Sequence, residues 1–328
     1  MKIENLEIGD SFAGRFLLTG KEEKKKRSNG EEFLILYLQD DTGKIEGRIW
    51  EKEKYENVEL EEKNVFAIKG QTVEYQGSPQ IKVKKVKKSP KQNIENFLPN
   101  LKSIPGGLTP KDGCYKRILK MIDNHCSNDH ILELLGHFLG FSFEEEEIQD
   151  EERVEKLCKY PAAKRNHHSY RGGLIHHIFS MMKVSNEMVN HYNHLYDEEI
   201  IDKDKVFAGV ILHDLGKIEE YDDPVSPSFS QRGELEAHIS IMCEKLHSYK
   251  VQSEIEDSLY REIKHLILSH HGKLDWGSPV EPKTVEATLL HRIDMMDSRV
   301  AKACENYLDS DKDEFSLPNS SKKMYKKI

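Results

Sequence analysis

The chain has 328 residues, a length that suits about two domains, and its 37% hydrophobic content is enough to exclude a wholly disordered chain. No apolar run reaches the ~20 residues that cross a bilayer, the opening MKIENLEIGD lacks a signal-peptide layout, and five cysteines (Cys114, Cys126, Cys158, Cys243, Cys304) form no CxxC pair. Together these features predict a cytoplasmic protein with no membrane partner and no thiolate zinc site. The net charge of −9 is uneven, with 19 Lys+Arg against 17 Asp+Glu in residues 1–92 and 30 against 41 in the rest, which suggests two jobs.

Residues 1–88 read as short strands: Ser11–Thr19, Glu32–Gln39, Lys44–Trp50, Val65–Tyr75 and Gln80–Val86. Asp40–Gly43 and Gln76–Pro79 supply turns, and Glu51–Glu62 is polar and helix-prone. Five strands with a helix-like insert after the third predict an all-β OB-fold barrel, although an SH3-like barrel or a small sandwich has similar spacing. In EFLILYLQ, Phe33, Ile35 and Tyr37 share one face while Leu34, Leu36 and Leu38 share the other. If the leucines fill the core, Phe33 and Tyr37 are left as base-stacking platforms; the alternative buries both faces. Lys82, Lys84, Lys85, Lys87, Lys88 and Lys91 form a basic strand without an acid, readable as a nucleic-acid surface or as a charged edge that prevents aggregation.

Residues 89–113, with Pro90, Pro99, Pro105, Gly106, Gly107 and Pro110, read as a linker. From Cys114 the apolar period shifts toward 3.6, and helices are expected over Leu174–Tyr192, Lys205–Leu212, Leu235–Tyr249, Leu259–Ser269 and Thr284–Ala303. Glu144–Arg153 reads as a solvated helix face. The predicted layout is multidomain: a barrel over 1–88, a linker over 89–113, an all-α domain over 114–311, and a polar basic tail over 312–328.

The sharpest chemical signal is His213-Asp214, delivered by the apolar run VFAGVIL and followed by Gly216 and Lys217. His177, His238, His270, His271 and Asp294 also sit on mainly apolar helical segments. Each alone reads best as a hydrogen-bonded core residue. Five imidazoles and two carboxylates buried together need a shared counterion, and two divalent ions bridged by Asp214 supply it. The donor set suits Mn²⁺, Fe²⁺, Co²⁺, Ni²⁺ or Zn²⁺. Two such ions can activate a water and stabilise the leaving oxygen of a phosphodiester.

The order H…HD…H…HH…D resembles the HD-domain phosphohydrolase superfamily. PAAKRNHHSYRGGLIHH, ILHDLGKIEEY and HHGKLDWGSPVEPKTVEATLLHRIDMMDS more narrowly resemble the YhaM-type 3′→5′ exoribonuclease family, which joins an OB-fold to an HD domain. The resemblance covers nearly the whole chain. It implies a manganese-dependent exoribonuclease acting on single-stranded RNA from the 3′ end, with single-stranded DNA as a further substrate. Carried over by position, His177, His213, Asp214, His238, His270, His271 and Asp294 would be metal ligands. His176 stands beside His177, so either imidazole fits that place.

Lys217, one turn beyond Asp214, could set its ammonium on a phosphate oxygen, or be an ordinary surface lysine. Lys164, Arg165, His167, His168 and Arg171 form a basic run that reads equally as a backbone-binding rim or a solvated loop, and Arg232 is a further candidate. Asp297 and Arg299 read as support for the ligands or as a surface ion pair. Competing functions are an HD nucleotidase or cyclic-dinucleotide phosphodiesterase and a non-catalytic single-strand-binding regulator. The absence of a GYP motif and the OB-like front weigh against the former, and the full ligand set weighs against the latter. Homo-oligomerisation is left open.

Overall fold

In a computed structural model, described at residues 2–25, 30–51, 55, 57–75, 78–90, 94–97, 108–164, 167–224, 227–310, 313–316 and 323–326, the chain forms two compact units, Met1–Ser103 and then Ile104–Pro224 with Ser228–Ile328. The first unit is a closed barrel of five strands: β1 (Ser11–Lys25), β2 (Glu32–Gln39), β3 (Lys44–Ile49), β4 (Val65–Tyr75) and β5 (Ser78–Lys88), in the order β1-β2-β3-β5-β4. A parallel β3–β5 pair closes an otherwise antiparallel sheet, which is the OB-fold arrangement and not a sandwich.

Alternation along the strands fills the interior. Phe16, Leu18, Leu36, Leu38, Ile49, Phe66, Ile68 and Ile81 are almost wholly buried there, so the even-numbered leucines of β2 do face the core. At Gly70 a Cβ would come 2.7 Å from the Lys82 carbonyl oxygen, beside the bulge at Lys69/Gly70. β1 runs six residues past its expected end because Gly20–Lys25 continues the ladder with Glu32–Tyr37; backbone pairing carries a stretch whose charged side chains show no alternation. Within Glu51–Glu62, residues 52–54 and 56 lie outside the described ones. Residues 57–62 are turns and irregular chain rather than helix, with Leu60 tucked into the barrel core.

Most of the expected linker lies outside the described residues, as does Lys91. Its described turn Ile94–Phe97 packs on Leu17 and Val65, and the Phe97 carbonyl accepts a hydrogen bond from Gln39. The second unit is helical: α1 (Lys116–His125), α2 (Asp129–Leu139), α3 (Glu151–Lys159), α4 (Gly173–Tyr196), α5 (Lys203–Leu212), α6 (Lys217–Glu220), α7 (Gln231–Gln252), α8 (Asp257–Ser269) and α9 (Val285–Asp309). α4, α5, α7, α8 and α9 cover the five predicted helices. Two small antiparallel hairpins add to them: β6 (Phe141–Ser142) with β7 (Glu147–Ile148), and β8 (Glu314–Ser316) with β9 (Lys323–Tyr325).

The acidic run Glu144–Arg153 is therefore split. Glu144–Glu146 lie in the turn of the β6–β7 hairpin, Glu147 starts β7, and a helix begins only where Asp150 caps α3 by accepting from the Arg153 N–H. α5 is buried almost all round and packs against α4, α8 and α9, which places its C-terminus inside the unit. Among the described residues no helix is long and apolar enough to cross a membrane.

Candidate metal centre

Asp202 starts α5 by accepting from the Lys205 N–H, and the apolar segment VFAGVIL carries the chain inward until His213 and Asp214 emerge at its end. α8 ends at His270 and His271 in the same manner. α4 supplies His177 and α9 supplies Asp294 from mid-helix positions. His238 arrives differently. α7 is broken at Ala237 (φ 56°, ψ 161°), a backbone conformation that non-glycine residues rarely hold and that costs on the order of 1–3 kcal/mol. The break frees the His238 backbone N–H, which donates to Glu220 Oε1 at 2.9 Å.

Asp214 turns one oxygen to each of two groups. Its Oδ2 lies 3.8 Å from His177 Nε2 and 3.5 Å from His213 Nε2, while its Oδ1 lies 3.5 Å from His238 Nε2 and 3.9 Å from His270 Nε2. Asp294 Oδ1 joins the first group, 3.4 Å from His177 Nε2, and His271 joins the second. Donors held about 2.1 Å from one ion at angles of 90–109° sit roughly 3.0–3.4 Å apart, so these separations are close to the edges of coordination polyhedra.

The protonation pattern of His213 and His270 agrees, whereas at His177 burial acts to lower the imidazole pKa but Asp294 and Asp297 outweigh it and raise it to about 10. Nδ1 of His213 donates to the Val210 carbonyl at 2.9 Å, and Nδ1 of His270 donates to the Ile267 carbonyl at 2.8 Å. A carbonyl only accepts, so each Nδ1 carries the proton and each Nε2 presents a lone pair. Burial pushes both imidazole pKa values down and keeps the rings neutral. His238 Nδ1 is held by Glu220 at 2.9 Å, and His177 Nδ1 by Asp297 Oδ2 at 2.8 Å. Burial acts to raise the Asp214 pKa, but the Lys217 ammonium and His213, His238 and His177 outweigh it and hold the carboxyl well below the usual carboxylate range.

Nε2 of His177, His213, His238 and His270 and Nδ1 of His271 are buried and lack hydrogen-bond partners. Leaving one such atom unpaired costs about 1–3 kcal/mol, yet four of the five, the Nε2 atoms, stand within 3.9 Å of one carboxylate. Imidazole nitrogens and carboxylate oxygens without a thiolate fit a divalent ion of the Mn²⁺-to-Zn²⁺ series.

His177 rather than His176 faces Asp214; His176 Nδ1 bonds the Tyr170 hydroxyl instead. Lys217 is close to the ligands, with Nζ donating to Asp214 Oδ2 at 2.6 Å. His168, expected on a basic rim, is buried, and its Nε2 bonds Asp297 Oδ2 at 3.0 Å; it backs His177 and offers no surface to a phosphate. Arg232 is also not free, because Glu219, Glu236 and Glu244 surround its guanidinium. Lys164 lies 5.3 Å from the Phe229 ring centre, Arg171 is half-buried, and Arg165 lies outside the described residues.

On the barrel, Phe33 is not an open platform. It is 7% exposed and stacks on Trp50, with ring centres 4.8 Å apart. Tyr37 is half-buried and donates its hydroxyl to Glu22 at 2.9 Å. Trp50 and Tyr75 were missed in the sequence, although the Arg48 guanidinium lies 5.8 Å and 4.3 Å from their ring centres. Lys84 and Lys85 are exposed as expected, Lys84 within 3.5 Å of Gln71 Oε1.

Glu220 was also missed. It lies within ILHDLGKIEEY, three residues after Lys217, but its partner His238 is 18 residues further on, so no local spacing betrays it. Gly216 has a role its φ does not require: a Cβ there would meet the His238 carbonyl oxygen at 2.2 Å. The HD-Leu-Gly-Lys turn and the α7 break thus pack backbone to backbone.

A helical domain carrying this histidine–aspartate centre behind an OB-fold barrel defines an HD-domain phosphohydrolase with a nucleic-acid-binding module. The HD domain model matches residues 174–299, and an OB-fold nucleic acid binding domain model matches residues 18–88. The chain is 34% identical to the 3′-5′ exoribonuclease YhaM of Bacillus subtilis (strain 168), over 90% of this chain and 87% of the relative. It is 33% identical to YhaM of Oceanobacillus iheyensis, over 89% of this chain and 86% of the relative. It belongs to the YhaM family of 3′-5′ exoribonucleases. The second OB-fold domain of replication protein A from Methanococcus maripaludis also matches, at 21% identity over 28% of this chain and 97% of that one, but its TM-score of 0.23 is too low to bear on function.

Proposed function

We propose that this chain is a metal-dependent 3′→5′ exoribonuclease that hydrolyses single-stranded RNA, with single-stranded DNA as a secondary substrate. The observation that carries this reading is the convergence of four buried, unpartnered imidazole Nε2 atoms on the two oxygens of Asp214. His177, His213 and Asp294 would hold one ion and His238, His270 and His271 a second, with Asp214 shared between them. We assign Mn²⁺ to the pair, with Fe²⁺, Co²⁺, Ni²⁺ and Zn²⁺ as ions the same donors accept. Two ions so held supply an activated water and charge for the leaving oxygen.

The residues' own work is positional. Asp297 and Glu220 fix the rings of His177 and His238, and the Val210 and Ile267 carbonyls fix the tautomers of His213 and His270. Lys217 sits against Asp214 with its ammonium available to a phosphate oxygen that approaches the same carboxylate. We assign the barrel (residues 1–88) to grip the strand, through Trp50 and Tyr75 with Phe33 and Tyr37 behind, and through Lys84 and Lys85. The helical domain (114–311) would cut it, with Lys164 and Arg171 offered to the phosphates of the strand, while 89–113 connects the two and 312–328 forms the tail. Five free cysteines suit a cytoplasmic location.

The test is purified protein with Mn²⁺ and 5′-labelled single-stranded RNA. Stepwise shortening from the 3′ end is expected. Hydrolysis confined to a parallel panel of free and cyclic nucleotides would replace this reading with a nucleotidase.

A further inference from the structure

The lysines of β5 could have been the guard of an open sheet edge, but that role does not account for the whole basic surface. β5 is paired to β4 along its length and to β3 only at Gln80–Lys82, so one side is open beyond Lys82; Lys69, however, lies on β4 where that strand is paired on both sides, to Ala13 and to Lys85, and has no edge to protect. The registers carry the cations across three strands. Lys87 lies opposite Ala67, which lies opposite Arg15; Lys85 lies opposite Lys69, which lies opposite Ala13; and Lys82 lies opposite Gln71. Arg15, Lys69, Lys82, Lys85 and Lys87 are exposed, and none has an ion-pair or hydrogen-bond partner among the described residues.

Like charges directly opposite one another across antiparallel strands weaken a sheet, so the Lys69–Lys85 pair works against the fold. These rows hold no acidic side chain and no aromatic ring. Flexible cationic groups above short neighbours such as Ala13 and Ala67, with no aromatic ring or side-chain carboxylate in these rows, suit contacts to phosphates more than the reading of base edges. Arg48 lies opposite Lys82 across β3 and β5, which makes these rows contiguous with the Phe33–Trp50–Arg48 patch.

We propose that the β1–β4–β5 face of the barrel binds the phosphate backbone of the RNA strand, without regard to sequence, as a second contact surface continuous with the aromatic one. The identity of the polyanion as RNA rests on the exoribonuclease reading.

The experiment compares full-length Asp214→Asn protein, which prevents turnover, with the same protein carrying Arg15→Gln, Lys69→Gln and Lys87→Gln. Anisotropy is recorded on two unrelated single-stranded RNAs of about 20 nucleotides, from about 50 to about 300 mM salt. Each lost phosphate contact reduces the slope of log K against log salt by about 0.7 on a single strand, so the triple change should make it shallower by about 2. Affinity at the lowest salt should fall at least about tenfold, equally for both sequences. Arg15→Lys, Lys69→Arg and Lys87→Arg together should restore the slope, which separates lost charge from misfolding. An unchanged slope in the glutamine variant, a loss confined to one sequence, or failure of the charge-preserving set to restore the slope overturns the proposal. Wild-type hydrolysis is assayed alongside: a shallower slope without hydrolysis defeats the exoribonuclease reading and keeps this surface, whereas hydrolysis with an unchanged slope does the reverse.

Discussion

Glu220 accepts two hydrogen bonds from His238, from the backbone N–H and from Nδ1, both at 2.9 Å. One carboxylate oxygen therefore fixes both the broken turn of α7 and the ring that faces Asp214. Burial opposes ionisation of Glu220, but these bonds hold its pKa below the usual value. Glu220→Ala should weaken Mn²⁺ binding about 10–100-fold, as loss of an orienting partner does at other metal sites. Calorimetric titration with Mn²⁺ reads this directly, and wild-type affinity in the variant would confine Glu220 to the fold.

Lys217 is the only cation bonded to Asp214 among the described residues, at 2.6 Å. An ammonium repels a neighbouring metal ion, so its removal should not lower metal content. Lys217→Ala is expected to cut turnover by about 10²-fold or more, the scale of losing one charged donor to a transition state, with metal retained. Metal lost along with the lysine would show that it holds Asp214 in place and does not serve the phosphate.

Gly216→Ala would bring a Cβ to 2.2 Å from the His238 carbonyl oxygen, a backbone atom that cannot swing away. Gly216 has an ordinary helical φ of −58°, so conformational strain is not the issue; space is. Overpacking of this kind costs about 1–3 kcal/mol or more, and α7 must shift at His238 to relieve it. Thermal unfolding should report a lower midpoint, together with weaker metal binding. A variant with unchanged midpoint and metal affinity would mean that the two backbones can separate freely.

The ligands were legible in the sequence because each is a polar residue stranded in an apolar helical run, a local conflict that periodicity exposes. Asp294 between Ile293 and Met295 and His177 before Ile178 are examples. The supporting residues were not legible, because their reason for being is a contact distant in sequence. His168 reaches Asp297 across 129 residues, and in the sequence it looked like one more member of a basic loop. The barrel strands followed from alternation and turn chemistry, but alternation on β2 could not say that Trp50 would cover Phe33. That required the β2–β3 register, which places Leu34 opposite Ile49 and brings the next outward side chains together. The break at Ala237 had no sequence signal at all, since alanine favours the helix that tertiary packing interrupts there.

Trp50, rather than Phe33 or Tyr37, should carry the stacking contribution of the barrel, since Phe33 is covered and Tyr37 is tied to Glu22. Trp50→Ala should weaken binding of single-stranded RNA by about 1–3 kcal/mol, and Tyr37→Phe should leave it within error. Fluorescence titration of RNA into each variant decides between them. Equal losses would place the base contacts on both strands of the face.

The central claim is that one carboxylate, Asp214, is shared by two ions. Its most direct test is metal analysis of full-length wild-type and Asp214→Asn proteins reconstituted with Mn²⁺, alongside the RNA shortening assay and circular dichroism. Two equivalents per chain are expected in the wild type. Asp214→Asn should keep its helical signal but lose affinity for both ions, with hydrolysis reduced by orders of magnitude. A variant that keeps both ions and near wild-type hydrolysis, or a wild type that reproducibly binds a single ion, would contradict it.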